Sequence, residues 1–265
     1  MTVLTLTKHH ALGNDFLVVF EPPAADLPAL ARRLCDRRRG IGADGLLVGT
    51  DERPDGATMV LYNADGSRAE MSGNGVRCFA QALVMRHGGL DSLRITTDSG
   101  LRVVEVTATE DPATILGSGD MGEIRAIEPP SGWAALGVLP DRPVAHLDVG
   151  NPHAVVAVED VGAVDLVALG RQVPTVNLEI VEPGPESNAV TMRVHERGAG
   201  VTDACGSGAV AAAWAASGWA LASGDELLVH MDGGSARVAL HVPSSGHATL
   251  TGPATYVARI EIAVP

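Results

Sequence analysis

The sequence predicts an α+β protein built from two pseudo-symmetric halves, each a curved, mostly antiparallel sheet wrapped around one central helix. Three observations lead there. EMSGNGVRCFA (Glu70–Ala80) has a counterpart in DACGSGAVAAA (Asp203–Ala213), half a chain later: a polar loop, a Gly-x-Gly turn and an apolar helical run. Gly13-Asn14 and Gly150-Asn151 recur at nearly the same offset, each between two strand-like runs. Strand patterns dominate and each half has one long helical stretch, so strands and helices do not alternate as a doubly wound sheet requires.

The elements follow in order. Thr2 to Lys8 alternates as a strand, and HALGNDFLVVF places Gly13-Asn14 between two strand runs. ATMVLYNADGSRAEMSGNG is a β-rich run ending in a strong Asn-Ala-Asp-Gly turn signal. VRCFAQALVMRHGG reads as a helix closed by C-terminal glycines, and LRITTDSGLRVVEVTATE as a hairpin turning near Asp98-Ser99-Gly100. The second half repeats this order with VAHLDVGNPHAVVAV, AVTMRVHERGAGVTDACGSG, the helix AVAAAWAASGWALASGD, and a hairpin turning at Gly233-Gly234. The boundary is expected in the loop LGSGD (Leu116–Asp120), which gives halves 1–117 and 118–265. A terminal strand near 253–265 is a candidate to return to the first half.

Composition narrows the function. The 265 residues are 46% hydrophobic but 3% aromatic, so the cores must be aliphatic. A net charge of −13 argues against nucleic acid and anionic membranes as partners. RRLCDRRR (Arg32–Arg39) is broken by Cys35 and Asp36 and reads as a helix end rather than a phosphate grip. MTVLTLTKHH lacks a basic n-region and so is not a signal peptide, and the apolar window Ala209–Ala222 is too short to span a bilayer. Cys35, Cys78 and Cys205 form neither a disulfide framework nor a zinc pattern, which points to a reducing cytoplasm.

The paired turns carry the chemistry. A helix N-terminus presents unpaired N–H groups and the positive end of the dipole, and nearby glycines let an anion approach. Two such turns facing across a domain cleft would bracket a small carboxylate. A thiol placed there feels the same field, which lowers its pKa toward neutrality, so Cys205 is a candidate thiolate base. Cys78, inside the helical run, and Cys35, at an Arg-rich helix end, read as structural.

Asn14, Asn63, Asn151 and Asn177 sit at strand ends beside Gly, Asp or Pro. Any one of them alone would be a turn former. Glu196 and Arg197 add an ammonium acceptor and a bidentate carboxylate donor, completing six polar groups that recur across the halves. Two groups on opposite sides of a carbon next to a carboxylate suit racemisation or epimerisation. The common cofactor for such chemistry, pyridoxal phosphate, needs a Schiff-base lysine, and the only lysine is Lys8 in the opening strand. His9 and His10 are adjacent and diverge on a strand, so no metal set is expected. A cofactor-independent route remains, relying on oriented N–H groups and exclusion of water.

At these residues the chain resembles the diaminopimelate epimerase family, within the cofactor-independent two-base epimerase and racemase superfamily. The motifs are ALGNDF, GIGADG, YNADGSRAEM with GNGVRCFA, GNPH, VNLEIVE, RVHERGAG, ACGSG and the closing GPA, spread over nearly the whole chain. The resemblance implies two similar domains with the site between them, no cofactor, diaminopimelate as small-molecule substrate, and a cytoplasmic step in lysine and cell-wall precursor synthesis. A homodimer is the default assembly. By position, it makes Cys205 one catalytic cysteine and puts Ser72 where the family has the other. It gives substrate binding to Asn14, Asn63, Asn151, Asn177, Glu196 and Arg197, with Gly73-Asn74 and Gly206-Ser207 as backbone donors for the α-carboxylate. His153 and Glu196 match residues that adjust the pKa values of the bases.

Ser72 is the main departure, because an alcohol is a far weaker acid than a thiol. Three readings stay open: an engineered substitution, a natural serine returning a proton, or drift to another reaction of the superfamily. The last would be a racemase or dehydratase of proline-like amino acids, and a non-catalytic amino-acid-binding relative is a further alternative. Val201, where Glu is more usual before Thr202, is a smaller departure that bears on how Cys205 is held.

Overall fold

The structure, a computed structural model, describes residues 2–22, 26–89, 91–241 and 246–264. The chain forms two compact units, Met1–Gly119 with Gly252–Pro265, and Asp120–Thr251. The first unit contains β1 (Thr2–Ala11), β2 (Asn14–Phe20), α1 (Leu27–Cys35), β3 (Gly45–Arg53), β4 (Gly56–Asn63), β5 (Arg68–Ala69) and α2 (Gly73–His87), then β6 (Ser92–Thr97), β7 (Gly100–Ala108) and β8 (Thr114–Glu123). The second contains β9 (Arg125–Ala126), β10 (Val144–Asp148), β11 (Pro152–Ala157), α3 (Leu166–Gly170), β12 (Asn177–Pro183), β13 (Ala189–Glu196) and β14 (Gly200–Thr202). It is completed by α4 (Gly206–Gly218), β15 (Glu226–Met231), β16 (Gly234–Leu240) and the start of β17 (His247–Val264), whose residues from Gly252 on belong to the first unit. The ends of β8 and β17 pass from one unit into the other.

Both units use one pairing scheme. In the first, β1–β2 is antiparallel, β2–β3 parallel, β3–β4 antiparallel, β4–β6 parallel and β6–β7 antiparallel. In the second, the pairs β10–β11, β11–β12, β12–β13, β13–β15 and β15–β16 repeat that alternation of sense. Even the short strands match: β5 adds to β4 as β14 adds to β13. The class is therefore α+β, with two sheets of the same topology. In the first unit β7 continues to β8, β8 pairs with β17, and β17 pairs with β1, which closes the sheet on itself.

Inside each sheet lies one helix. Val76, Phe79, Ala80 and Leu83 of α2 pack against Phe16, Val18, Leu47, Met59, Leu93 and Ile95 from the surrounding strands. The alternate residues Leu17, Val19, Leu46 and Val48 point the other way and cluster with Leu30 and Leu34 of α1. That period of two gives each strand two apolar faces, which explains why these strands read as nearly continuous hydrophobic runs. In the second unit, Ala154, Val156, Leu178 and Ile180 cluster with Leu166 of α3, and the intervening positions face α4. Helix α4 is buried from Gly206 to Ala213, and its alanines let it fit among six strands without aromatic bulk.

The expected loop at Leu116–Asp120 is instead part of β8. A Cβ at Gly117 would lie 3.0 Å from Cγ of Arg77. The glycine admits a side chain beside a strand; it does not make a turn.

Candidate functional site

Ser72 and Cys205 occupy the same position in their respective units. Each is the N-cap of the enclosed helix, with extended backbone at φ −141°, ψ 122° and φ −129°, ψ 118°. Ser72 Oγ accepts from the Gly75 N–H at 3.0 Å, and Cys205 Sγ accepts from the Gly208 N–H at 3.4 Å. The Gly-x-Gly segments therefore form the first helical turns instead of preceding them, a correction to the sequence reading. Gly73 and Asn74, like Gly206 and Ser207, lie in those turns, where backbone N–H groups have no acceptor within the helix.

Around Cys205 the second unit gathers ionisable groups from separate strands. Glu196, the last residue of β13, accepts a hydrogen bond from Thr202 Oγ1 at 2.5 Å and lies within hydrogen-bonding reach of the Cys205 thiol. Glu179, from the middle of β12, has no exposed surface; its Oε1 is 2.7 Å from His153 Nδ1. His153 Nε2 is 2.9 Å from Asn151 Oδ1. The two ring nitrogens thus lie between a carboxylate and an amide oxygen, which fix the plane of the ring. Glu179 Oε2 finds no hydrogen-bond donor among the described residues, although it is buried. A Cβ placed on Gly208 would come 2.7 Å from Glu179 Oε1 and 3.2 Å from Cys205 Sγ, so the carboxylate lies directly beneath the capping turn.

Asn177, first in β12, donates to the Pro152 carbonyl at 3.3 Å and accepts from the Arg197 N–H at 2.9 Å. The Arg197 side chain is exposed, and Ser207 Oγ lies 3.7 Å from Cys205 Sγ. Val201 packs against the apolar cluster that includes Leu166 and Leu178.

Burial raises the Cys205 thiol well above the usual range, and the Glu196 and Glu179 carboxylates add to the shift. This overturns the expectation of a thiolate favoured by the helix N-terminus. The capping N–H of Gly208 and the hydroxyl of Ser207 pull the other way but do not prevail. Burial also raises Glu196, although hydrogen bonds from Thr202 and Cys205 oppose it. The protonated form of the Cys205 thiol is thus favoured, beside the Glu196 carboxyl. Cys35 and Cys78 are buried thiols pushed up to about 12, mainly by desolvation.

The first unit offers different chemistry at the matching positions. Beneath Ser72 lies Leu47 in place of Glu179: a Cβ on Gly75 would be 3.1 Å from Ser72 Cβ and 3.4 Å from Leu47 Cδ2. Phe16 starts the parallel register of β2 with β3 as His153 starts that of β11 with β12. Asn63 ends β4 as Glu196 ends β13, and it donates to Ser67 Oγ at 3.0 Å. Asn14, first in β2, and Asn151, just before β11, hold matching places, but the positions matching Asn177 and Arg197 are Gly45 and Ala64. The recurrence of polar groups thus covers two pairs, not all six residues.

Asn14 does join a larger network: its Nδ2 donates to Asp44 at 2.7 Å, and its Oδ1 accepts from Asn74 at 3.2 Å. Arg37 bridges Asp44 and Asp15, and Lys8 pairs with Asp15 at 2.7 Å. Among the described residues no group of three or more His, Cys, Asp or Glu could hold a metal, and no helix is long and apolar enough to cross a membrane.

Sequence reasoning singled out neither Glu179 nor Arg77. A signal for Glu179 existed: a lone carboxylate within the apolar run Leu178–Val181 of a strand with both faces covered.

Comparison with known proteins follows this geometry. A family model described as diaminopimelate epimerase matches residues 6–127 and 146–257. A diaminopimelate epimerase of Synechococcus elongatus is 36% identical over 96% of each chain. That of Thermosynechococcus vestitus is 39% identical, over 96% of this chain and 97% of its own. Among solved structures, a Bacillus anthracis phenazine biosynthesis protein of the PhzF family shares the fold with a TM-score of 0.76, at 15% identity over the whole of both chains.

Proposed function

The chain belongs to the diaminopimelate epimerase family, and on that premise we propose that it interconverts LL- and meso-2,6-diaminopimelate by moving a proton at one α-carbon, with Cys205 as its one strong acid–base group. The observation that carries this is the N-cap thiol of α4 set against the carboxyls of Glu196 and Glu179. A bound amino acid changes this balance. Its ammonium offsets the two carboxylates that hold the thiol protonated, and its α-carboxylate docks on first-turn N–H groups. Glu196, within hydrogen-bonding reach of the thiol, takes the Cys205 proton, and the thiolate forms when substrate is present.

Ser72 is the weaker partner. With Leu47 where the other unit has Glu179 and Asn63 where it has Glu196, its hydroxyl lacks the two carboxylates that flank Cys205. Its hydroxyl returns a proton to the carbanion, the alkoxide then taking one from water, and in the reverse direction it serves as the weak base, which makes that direction the slow one. Asn14, Asn63, Asn151, Asn177 and Arg197 bind the substrate's polar ends. His153 holds Glu179 and Asn151 in place. The reaction needs no cofactor, because the oriented N–H groups and carboxamides supply the electrostatic stabilisation. The three unpaired cysteines fit a reducing cytoplasm, where the product feeds lysine and peptidoglycan precursor synthesis, and a homodimer is the default assembly.

The test is the Ser72→Cys variant beside the parent chain, with diaminopimelate in deuterated water. The parent should exchange the α-hydrogen of one stereoisomer faster than it inverts the centre, and Ser72→Cys should raise inversion by about a hundred-fold or more. Equal exchange and inversion for both isomers in the parent would remove the one-sided assignment. A racemase or dehydratase of proline-like amino acids would instead turn over cyclic substrates and leave diaminopimelate untouched.

A further inference from the structure

Helix α1 covers the outer face of β3 and β4 with nine residues, and Leu30, Ala31, Leu34 and Cys35 are buried there. Its counterpart α3 has five residues, with Leu166 and Gly170 buried, and it packs on β12, β13 and β14. Beside it, the cover falls to the 3₁₀ turn Trp133–Leu136 and the chain that follows as far as Arg142. Between these pieces and the sheet lies a cavity of about 280 Å³. Leu136, Val138 and Leu139 line it from the turn and the chain after it, Val156 from β11, and Leu178 and Ile180 from β12. Among the described residues, every lining side chain is Val, Leu or Ile except those of Arg142 and Glu159. Glu179, between Leu178 and Ile180, faces the other way, toward the turn capped by Cys205. The cavity and that turn therefore lie on opposite faces of β12.

The charged pair sits where the lining meets solvent. Arg142 Nη1 donates to the Ala157 carbonyl at 2.7 Å, which fixes the guanidinium, and Nη2 donates to both oxygens of Glu159 at 3.0 Å. The Glu159 side chain is 84% exposed and that of Arg142 is 20% exposed. The cation is thus the held member of the pair and the anion the replaceable one. Exposed ion pairs contribute little, so exchanging Glu159 for another carboxylate costs little. An apolar cavity of about 150 Å³ takes benzene, so one of about 280 Å³ takes about ten carbon atoms.

We propose that this cavity binds a medium-chain aliphatic carboxylate of about eight to ten carbons. Its chain lies against Val156, Leu178 and Ile180, and its carboxylate takes the place of Glu159 on Arg142. The site is separate from the epimerase chemistry and does not depend on that reading.

The experiment is calorimetric titration of the intact chain with hexanoate, octanoate, decanoate and dodecanoate, and with octanol as a neutral chain. Each added CH₂ buries a similar apolar increment, so affinity should rise about four-fold per carbon from hexanoate to decanoate. Dodecanoate, too long for the cavity, should gain nothing further. Arg142→Gln should weaken octanoate about ten-fold or more, as loss of hydrogen bonds to a charged group implies, and leave octanol within about two-fold. Val138→Trp, which fills the cavity from the segment after the 3₁₀ turn, should abolish binding of both. Val164→Phe, from another wall, repeats that reading should the first variant not fold. Absence of binding in the parent, or an undiminished chain-length series in the filled variants, would overturn the site. Equal weakening of octanoate and octanol in Arg142→Gln would overturn the assignment of the carboxylate to Arg142.

Discussion

Replacing Glu196 by Gln tests the electrostatics of the site most directly. Burial is the leading cause that holds the Cys205 thiol up, and the Glu196 carboxylate comes next. Glutamine removes that charge and keeps a dipole of the same size and place, so the thiol should ionise at lower pH in the variant, while burial continues to hold it above the ordinary range. Thr202 can still donate to the amide oxygen, so the strand end should stay ordered. The assay is an ultraviolet titration of thiolate absorbance. Cys35 and Cys78 titrate only at about 12, so any thiolate appearing earlier belongs to Cys205. Glu179→Gln should lower the titration by less, because that carboxylate contributes after Glu196. An unchanged or upward shift in Glu196→Gln would refute the account of Cys205 as a thiol held protonated by neighbouring carboxylates.

Two further predictions concern stability. His9 is fully buried with its pKa lowered to about 4, first by desolvation and then by His10, so the unfolded chain binds a proton more readily than the folded one. Its contribution is complete above about pH 6.5 and is lost as pH falls through 4, a change of about 3 kcal/mol; Tm against pH should show this slope, and His9→Gln should flatten it. Gly170→Ala should cost about 1–3 kcal/mol in denaturant unfolding, because the new Cβ would lie 2.1 Å from the His195 ring, whereas Gly218→Ala meets nothing within 4 Å and should not destabilise.

Much of the fold was legible because the duplication is written in local signals. The Gly-Asn pairs, the capping turns and the hairpins at Asp98-Ser99-Gly100 and Gly233-Gly234 are all short-range features, and each half repeats them in order. The site was legible in its residue types but not in its electrostatics. A helix N-terminus argues for a lowered thiol when only Cys205 and its immediate neighbours are considered. The carboxylates that reverse the sign come from β12 and β13, and the burial comes from strands enclosing α4. None of these is adjacent to Cys205 in sequence. LGSGD failed for a related reason. Glycine is read as a turn former, but at Gly117 it accommodates Arg77, whose place in the fold depends on α2 being enclosed.

The two units together show what duplication kept and what it changed. Backbone roles were kept: the same pairing senses, the same N-cap geometry, the same asparagine at the entry to the second strand. Ionisable groups were not kept, for Phe16 matches His153, Leu47 matches Glu179, Asn63 matches Glu196 and Ser72 matches Cys205. A buried carboxylate is costly unless something exploits it, and Glu179 has one oxygen without a donor among the described residues. The second unit therefore places buried carboxylates against its thiol, where the first has Leu47 and Asn63. A serine suits the first unit, which lacks those two carboxylates. If Ser72→Cys restored thiol chemistry, the new cysteine would lie above Leu47 with no carboxylate pressing on it, and its thiolate should form at lower pH than that of Cys205. Titration of the variant should then show two steps, the first absent from the parent; a single step shared with Cys205 would mean that the helix N-terminus and burial, not the carboxylates, set both values.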